Sequence, residues 1–155
     1  MNAHKIITIF GIIFVMLAAS IFYKNSVERE SQKSPTATVH GHRFNLEIAT
    51  TPQKQQKGLS DRDSLSQNSA MLFVFPQSSL VTFWMKDMKF PIDIIFIHGD
   101  TVVSVAHNAP PPTLENKDNL PLYKPDQPSD KVLEINAGLS EKYNIKKGDK
   151  VEIEL

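Results

Sequence analysis

Three apolar runs lie close together in the middle of the chain, separated by short polar stretches: Met71–Phe75, Val81–Met85 and Ile92–Ile97. Apolar runs of this length, bounded by proline or serine, predict strands that are buried on both faces. A charged residue beside such a strand loses hydration, so it needs a partner or a functional role. The pattern therefore predicts one polar group set in a strand core. Its members are Trp84, Lys86, Asp87 and Asp93.

Shorter patterns on either side of this centre predict further strands. In Phe44–Ile48 apolar and polar positions alternate, which is typical of a half-buried strand. Gly99 and Asp100 predict a hairpin turn after the third apolar run. The remaining predicted strands are Thr38–Val39, Val102–Ala106, Val132–Ile135 and Val151–Leu155.

Two short helices complete the predicted elements. Thr51 and Pro52 mark a helix start and Gly58 marks its end, so the first helix covers Gln53–Lys57. The second helix is predicted over Leu139–Asn144. About seven strands with frequent turns and only short helices predict a mainly β fold, a compact β-sandwich or a partly closed barrel.

The segment Asn108–Ser129 contains six of the ten prolines of the chain. Proline cannot donate a hydrogen bond to a sheet ladder, so the sequence predicts an extended surface loop there rather than a strand. A loop of this length inside a compact domain is usually functional or mobile. We expect it to form a rim or lid of a binding face, or to dock another protein.

The N-terminal segment Ile6–Tyr23 is apolar and carries no charge. At about 1.5 Å per residue, a helix of this length approaches the thickness of the bilayer hydrocarbon. It is either a signal anchor or a signal peptide that is cleaved after Ser20. The predicted organisation is therefore residues 1–23 as this segment, 24–35 as a polar linker and 36–155 as a globular β domain. The domain is expected outside the cytoplasm, held to the membrane or secreted.

Composition narrows the candidate functions further. Residues 36–155 carry 13 basic and 15 acidic residues, a net charge of −2, without a basic stripe. Nucleic acid is therefore not an expected partner. The chain has no cysteine, which excludes disulfides and cysteine-ligated zinc. His40 and His42 could place two imidazoles on one strand face, but Gly41 between them predicts a turn, so no metal or other cofactor is predicted.

A series of motifs follows the predicted elements. They are Gly58-Leu59, Arg62, Met71–Phe75, Phe83–Lys86, Pro91–Ile97, Val132–Gly138 and Gly148-Asp149. Together they resemble the family catalogued as domain of unknown function 192, also called uncharacterised protein family 0127. The resemblance covers about Val39–Leu155. It implies a mostly β domain, often behind an N-terminal export or membrane segment, and no established reaction.

The chain departs from this family pattern at three places. Asp87-Met88 stands where the family usually has Asn-Thr, Ser60 where it usually has methionine, and Ala70 where it usually has glycine. The carboxylate at position 87 adds a negative charge. If position 87 contacts a ligand, this chain is expected to prefer a different ligand from its relatives, or a cation.

The central polar group has two competing interpretations. An aromatic platform with one cation and two carboxylates suits a small polar ligand such as a sugar or an amino compound. Alternatively the group is structural, with Asp93 capping a turn or pairing with Arg62 or Lys86. By resemblance, Arg62 is a candidate to reach the group. Glu134 and Asn136, expected to point outward from their strand, are candidate supporting members by the same resemblance.

Three functions follow from these candidates. The first is a small-ligand-binding or accessory module of the cell envelope, which need not be an enzyme. The second is a hydrolase of an envelope substrate that uses Asp87 and Asp93, because two carboxylates can divide acid and base roles when their pKa values differ. The third is a protein-interaction module that docks an envelope protein through residues 108–129.

Overall fold

The structure is a computed structural model, and it describes residues 15–24 and 34–155. It divides into two units, Met1–Ser34 and Pro35–Leu155. In the first unit, residues 15–24 form helix α1. No helix among the described residues is both long and apolar enough to cross a membrane. The predicted anchor Ile6–Tyr23 lies partly, and the predicted linker mostly, outside the described residues.

The second unit is built on one seven-stranded sheet that curls strongly into a half-barrel. Its strands lie in the order β6-β5-β8-β3-β2-β1-β9, and all neighbours are antiparallel except β2 and β3. A separate two-stranded ribbon pairs β4 with β7. The strands are β1 (Thr36–Val39), β2 (His42–Ala49), β3 (Ser69–Ser79), β4 (Phe83–Trp84), β5 (Ile92–His98), β6 (Thr101–Ala109), β7 (Leu122–Tyr123), β8 (Ser129–Asn136) and β9 (Glu152–Glu154). The prediction of a mainly β fold is confirmed.

Two short helices accompany the sheet. Helix α2 (Pro52–Lys57) lies in the connection between the parallel strands β2 and β3. Parallel neighbours cannot be joined by a tight hairpin, so the chain between them must cross over. The Thr51 hydroxyl accepts a hydrogen bond from the Lys54 amide, as the sequence predicts for a helix cap. Helix α3 (Leu139–Lys142) follows β8 and packs against β6 and β8.

The two faces of the sheet carry separate hydrophobic cores, because successive side chains of a strand point to opposite faces. On β8, Leu133 and Ile135 belong to one core, while Val132 belongs to the other. The first core also contains Val102 and Val151 from opposite edges of the sheet. Backbone hydrogen bonds between residues 100–102 and 148–151 draw these edges together, which completes the curl.

The structure corrects two predictions about the second core. The run Val81–Met85 does not form a strand buried on both faces; only β4 is extended, and Trp84 is 55% exposed. The predicted strand-free loop contains β7, whose Leu122–Tyr123 pairs with β4. Both differences have one cause: this apolar run lies over the sheet as a ribbon with the proline-rich loop, and only one of its sides meets the second core.

Candidate functional site

A cavity of about 410 Å³ opens on the side of the sheet that carries the second core. Its walls come from β3, from the ribbon strand β4 and from the segment that follows helix α2. Apolar side chains dominate the lining: Leu59, Phe73, Phe75, Val81, Phe83 and Met88. The polar lining residues are Gln55, Gln56, Lys57, Ser60, Thr82 and Glu134, and Trp84 lines the cavity as well. A concave apolar site with a few polar groups is typical of small-molecule binding.

Aromatic contacts hold the walls of this cavity in place. Phe83 makes edge-to-face contacts with Phe73, at 5.0 Å between ring centroids, and with Phe96, at 6.0 Å. Gly58 closes one side, with a positive φ of 49°, and a Cβ atom at this position would lie 3.3 Å from Phe73 Cζ. Glycine therefore lets the backbone after α2 approach the Phe73 ring.

Glu134 is the buried acidic group of the cavity, with a relative exposure of only 6%. On the sheet it lies beside Met71 of β3 and Ile94 of β5, both apolar. Its buried Oε2 atom has no hydrogen-bond partner among the described residues. Burial raises the pKa of Glu134 to about 8, although the positive charge of Arg62 acts in the opposite direction. The expectation that Glu134 points outward is wrong, because the ribbon and the segment after α2 cover this face.

Arg62 lies near Glu134, but its hydrogen bonds go to another carboxylate. Its Nη1 and Nη2 atoms donate to Glu47 Oε1 and Oε2 at 2.6 and 2.7 Å. These hydrogen bonds lower the pKa of Glu47 and raise the pKa of Arg62. The guanidinium is therefore held by Glu47 and reaches Glu134 only through its electrostatic field. The expectation that Arg62 takes part in the central polar group stays a prediction.

Trp84, Lys86 and Asp87 lie close together, and of the three Trp84 lines this cavity. Lys86 Nζ is 5.8 Å from the centroid of the Trp84 ring, within range of a cation–π interaction. Asp87 has a positive φ of 58°, and its carbonyl oxygen accepts a hydrogen bond from the Asp61 amide. These three residues also line a second, more open cavity of about 680 Å³, whose other side is formed by the proline-rich loop at residues 117–122.

The structure does not place Asp93 in this group. Asp93 is fully buried, and its Oδ1 accepts a hydrogen bond from the Asn108 amide at 2.8 Å. Its Oδ2 accepts hydrogen bonds from the Ser140 amide and hydroxyl, at 2.8 and 2.7 Å. The Ser140 hydroxyl also contacts His107 Nδ1 at 2.7 Å. Asp93 thus caps the first turn of α3 and the end of β6. This agrees with the structural interpretation of the central polar group, in which Asp93 caps a turn.

Asn136 supports the site indirectly. Its side-chain amide donates to the carbonyl oxygens of Leu65 and Ser66, at 3.0 and 3.2 Å. These hydrogen bonds tie the end of β8 to the segment between α2 and β3, part of which forms a wall of the cavity. Ser140 and His107, which complete the hydrogen bonds around Asp93, carry no sequence motif that marks them before folding.

The histidine pair is placed at a turn. His40 and Gly41 both have positive φ, and His40 contacts the Tyr143 carbonyl and Asp149. The His42 ring stacks on Tyr143 with centroids 3.7 Å apart. Within residues 15–24 and 34–155, no group of three or more histidine, cysteine or acidic residues is arranged to hold a metal ion.

Fold and cavity together define a small β half-barrel domain with an aromatic-walled pocket and a buried carboxyl group. The chain belongs to the family DUF192, described as an uncharacterized ACR, whose sequence profile matches residues 35–153. The family resemblance drawn from the motifs is thereby confirmed. No significant match is found among curated proteins.

Two solved structures are similar to the chain. A protein of unknown function from Novosphingobium aromaticivorans DSM 12444 is 38% identical, with a TM-score of 0.67, over 76% of this chain and 82% of its own. A "putative transcription regulator" from Sinorhizobium meliloti 1021 is 27% identical, with a TM-score of 0.67, over 77% of this chain and 91% of its own. Both share the fold of the chain, and neither is described with a ligand.

Proposed function

We propose that this domain is a small-ligand-binding or accessory module of the cell envelope. The observation that carries the proposal is the aromatic-walled cavity with Glu134 at its base. A carboxyl group that is buried without a partner costs free energy, so its presence in the wall of a cavity favours a role in binding. Trp84 adds an aromatic ring to the lining, and Lys86 Nζ lies 5.8 Å from the centroid of that ring.

The proline-rich loop supports this proposal as a rim. Its strand β7 pairs with β4, so Leu122 lies directly opposite Trp84 in the ribbon. Movement of the loop would therefore move Trp84 at the mouth of the cavity. The open cavity between the loop and Asp87 shares Trp84 and Met88 with the first cavity, so a change in the loop would be felt by the lining of both.

Attachment to the membrane through residues 6–23 remains part of the proposal. It is supported by the uncharged apolar sequence of this segment. Intact-mass measurement of the full chain recovered from cells separates the two alternatives. An uncut chain in the membrane fraction supports an anchor, while a chain that begins after Ser20 supports secretion. An uncut chain in the cytoplasmic fraction would contradict export.

A second candidate is a protein-interaction module. Three apolar side chains of the ribbon and loop are strongly exposed: Trp84 at 55%, Leu122 at 57% and Leu114 at 89%. Trp84 and Leu122 are paired in the ribbon, and adjacent exposed aromatic and aliphatic side chains favour a partner protein. The hydrolase alternative receives no such support, because both carboxylate oxygens of Asp93 are used in hydrogen bonds to Asn108 and Ser140.

Fluorescence titration of the full chain tests the first candidate. Trp84 is the only tryptophan, so its emission reports on the mouth of the cavity alone. We would titrate sugars, amino acids, nucleotides, amines and divalent cations, and expect a saturable change for one chemical class. Glu134→Gln should weaken the response at least tenfold.

The matched control is Glu152→Gln, which makes the same replacement at an exposed position on β9 at the far edge of the sheet. It should leave the titration unchanged. If no class produces a saturable change, the ligand-binding proposal fails. Replacement of Leu114 and Leu122 by serine would then test the interaction module, which should lose its partner.

A further inference from the structure

We propose that the ligand of this cavity is an organic cation, an amine or guanidinium on a small apolar body, with Glu134 as its counter-charge. This inference rests on the proposed function and names the chemistry of the ligand. The cavity joins two features that attract the same kind of molecule. Its walls include aromatic and aliphatic side chains, and the buried Oε2 atom of Glu134 has no hydrogen-bond partner among the described residues.

The lining of the cavity indicates where the apolar body of the ligand and its cationic group would bind. Phe73, Phe83 and Leu59 would contact the apolar body, because burial of apolar surface is favourable. Aromatic ring faces carry partial negative charge and attract cations. A cation that reaches Glu134 would complete a charge-assisted hydrogen bond, which is about twice as strong as a neutral one.

The positive charges near Glu134 are paired with other carboxylates, so a cationic ligand could form an ion pair with Glu134. Its neighbours on the adjacent strands are the apolar Met71 and Ile94, and Asn136 on its own strand is neutral. Arg62 is the cation that acts on Glu134 from the segment after α2, and it is already neutralised by Glu47. Lys57 at the rim is likewise paired with Asp61. The carboxyl group thus remains without an ion-pair partner of its own.

Binding should therefore be coupled to a proton. Because burial keeps Glu134 protonated near neutral pH, a cation must displace its proton to form the ion pair. Affinity should rise by more than about tenfold between pH 6 and pH 8. At pH 7, close to one proton should be released for each cation bound.

The test titrates the full chain with three probes of similar shape: phenethylamine, 2-phenylethanol and 3-phenylpropanoate. Trp84 emission measures binding, and a pH indicator in weakly buffered solution measures proton release. We expect phenethylamine to bind at least tenfold more tightly than the alcohol, and the carboxylate to bind most weakly. Glu134→Gln should abolish the preference for the amine, while Glu152→Gln should keep it.

Equal binding of the amine and the alcohol, or amine binding without proton release, would overturn the cation proposal and leave a ligand site in place. If neither these probes nor the broader panel changes the emission, the proposed function fails as well. Proton release is measured on the wild-type chain, so this arm does not depend on the folding of a variant.

Discussion

At the scale of single residues, burial decides what each charged group does. Asp93 and Glu134 are both buried on the sheet, but Asp93 accepts three hydrogen bonds, whereas Glu134 Oε2 has no partner among the described residues. A satisfied carboxylate contributes to structure, and an unsatisfied one costs stability unless a ligand completes it. Sequence position does not distinguish the two, since both acids follow apolar residues in strands.

The free-energy cost of burying the ionised side chain of Glu134 predicts that the stability of the fold depends on pH. Its pKa rises from 4.5 in the unfolded chain to about 8 in the folded chain, so the folded state binds its proton more tightly. The free energy of unfolding should therefore fall as pH rises from 4.5 to 8. Glu134→Gln should remove this fall and gain about 3–5 kcal/mol at pH 8 relative to wild type. Urea denaturation across this pH range measures it, and parallel pH profiles of the two proteins would contradict it.

Gly58 is a second residue whose role depends on its neighbour. Gly58→Ala should destabilise the fold by about 1–3 kcal/mol, because the positive φ is strained and the new Cβ presses on Phe73. Gly99→Ala is the matched control, since Gly99 also has positive φ but an added Cβ there meets no atom within 4 Å. Urea denaturation should show the larger loss for Gly58→Ala. Equal losses would show that Phe73 adds nothing to the backbone strain.

At the scale of elements, the structure joins segments that are distant in sequence. Asp93 on β5 connects the end of β6 with the first turn of α3, and the ribbon connects β4 with the proline-rich loop. The buried strands were predictable from their apolar runs: Ile92–Ile97 lies wholly within β5. The ribbon was not, because a two-residue strand carries almost no periodicity and Leu122–Tyr123 lies among prolines.

The capping role of Asp93 makes an element-scale prediction. Asp93→Asn should cost about 2–4 kcal/mol, because asparagine keeps only one acceptor oxygen and its NH₂ group, a donor, cannot accept the hydrogen bonds made by the other carboxylate oxygen. Amide hydrogen exchange should increase at Asn108 and Ser140, whose backbone amides bind the two oxygens. Asp126→Asn, at an exposed position, should change stability by less than about 0.5 kcal/mol. Unchanged exchange at both amides would contradict the capping role.

At the scale of the whole molecule, both hydrophobic cores are built from residues 37–153, within the second unit. Among residues 15–24 and 34–155, the members of both cores all lie in Pro35–Leu155. A domain with its own hydrophobic cores is expected to fold alone.

A chain of residues 35–155 should therefore fold without the N-terminal unit. Its urea midpoint should agree with that of the full chain in detergent to within about 0.3 M, since it keeps every core residue that the structure describes. Circular dichroism and Trp84 emission followed together give the measurement and test for a single transition. An unfolded or aggregated fragment would show that residues 1–34 contribute to the fold.

The sequence by itself determined the β class, the family, the end of α2 at Gly58 and the strands of the sheet centre. These depend on local properties: apolar periodicity, caps and motifs that can be read along the chain. Only the tertiary structure decided that Trp84 is exposed, that Asp93 belongs to a cap and that Glu134 lies at the base of a cavity. Each of these depends on what covers a face of the sheet, and the covering segments, residues 58–66, 83–88 and 122–123, come from distant parts of the chain. Periodicity assigns a residue to a face, but folding decides whether that face meets water.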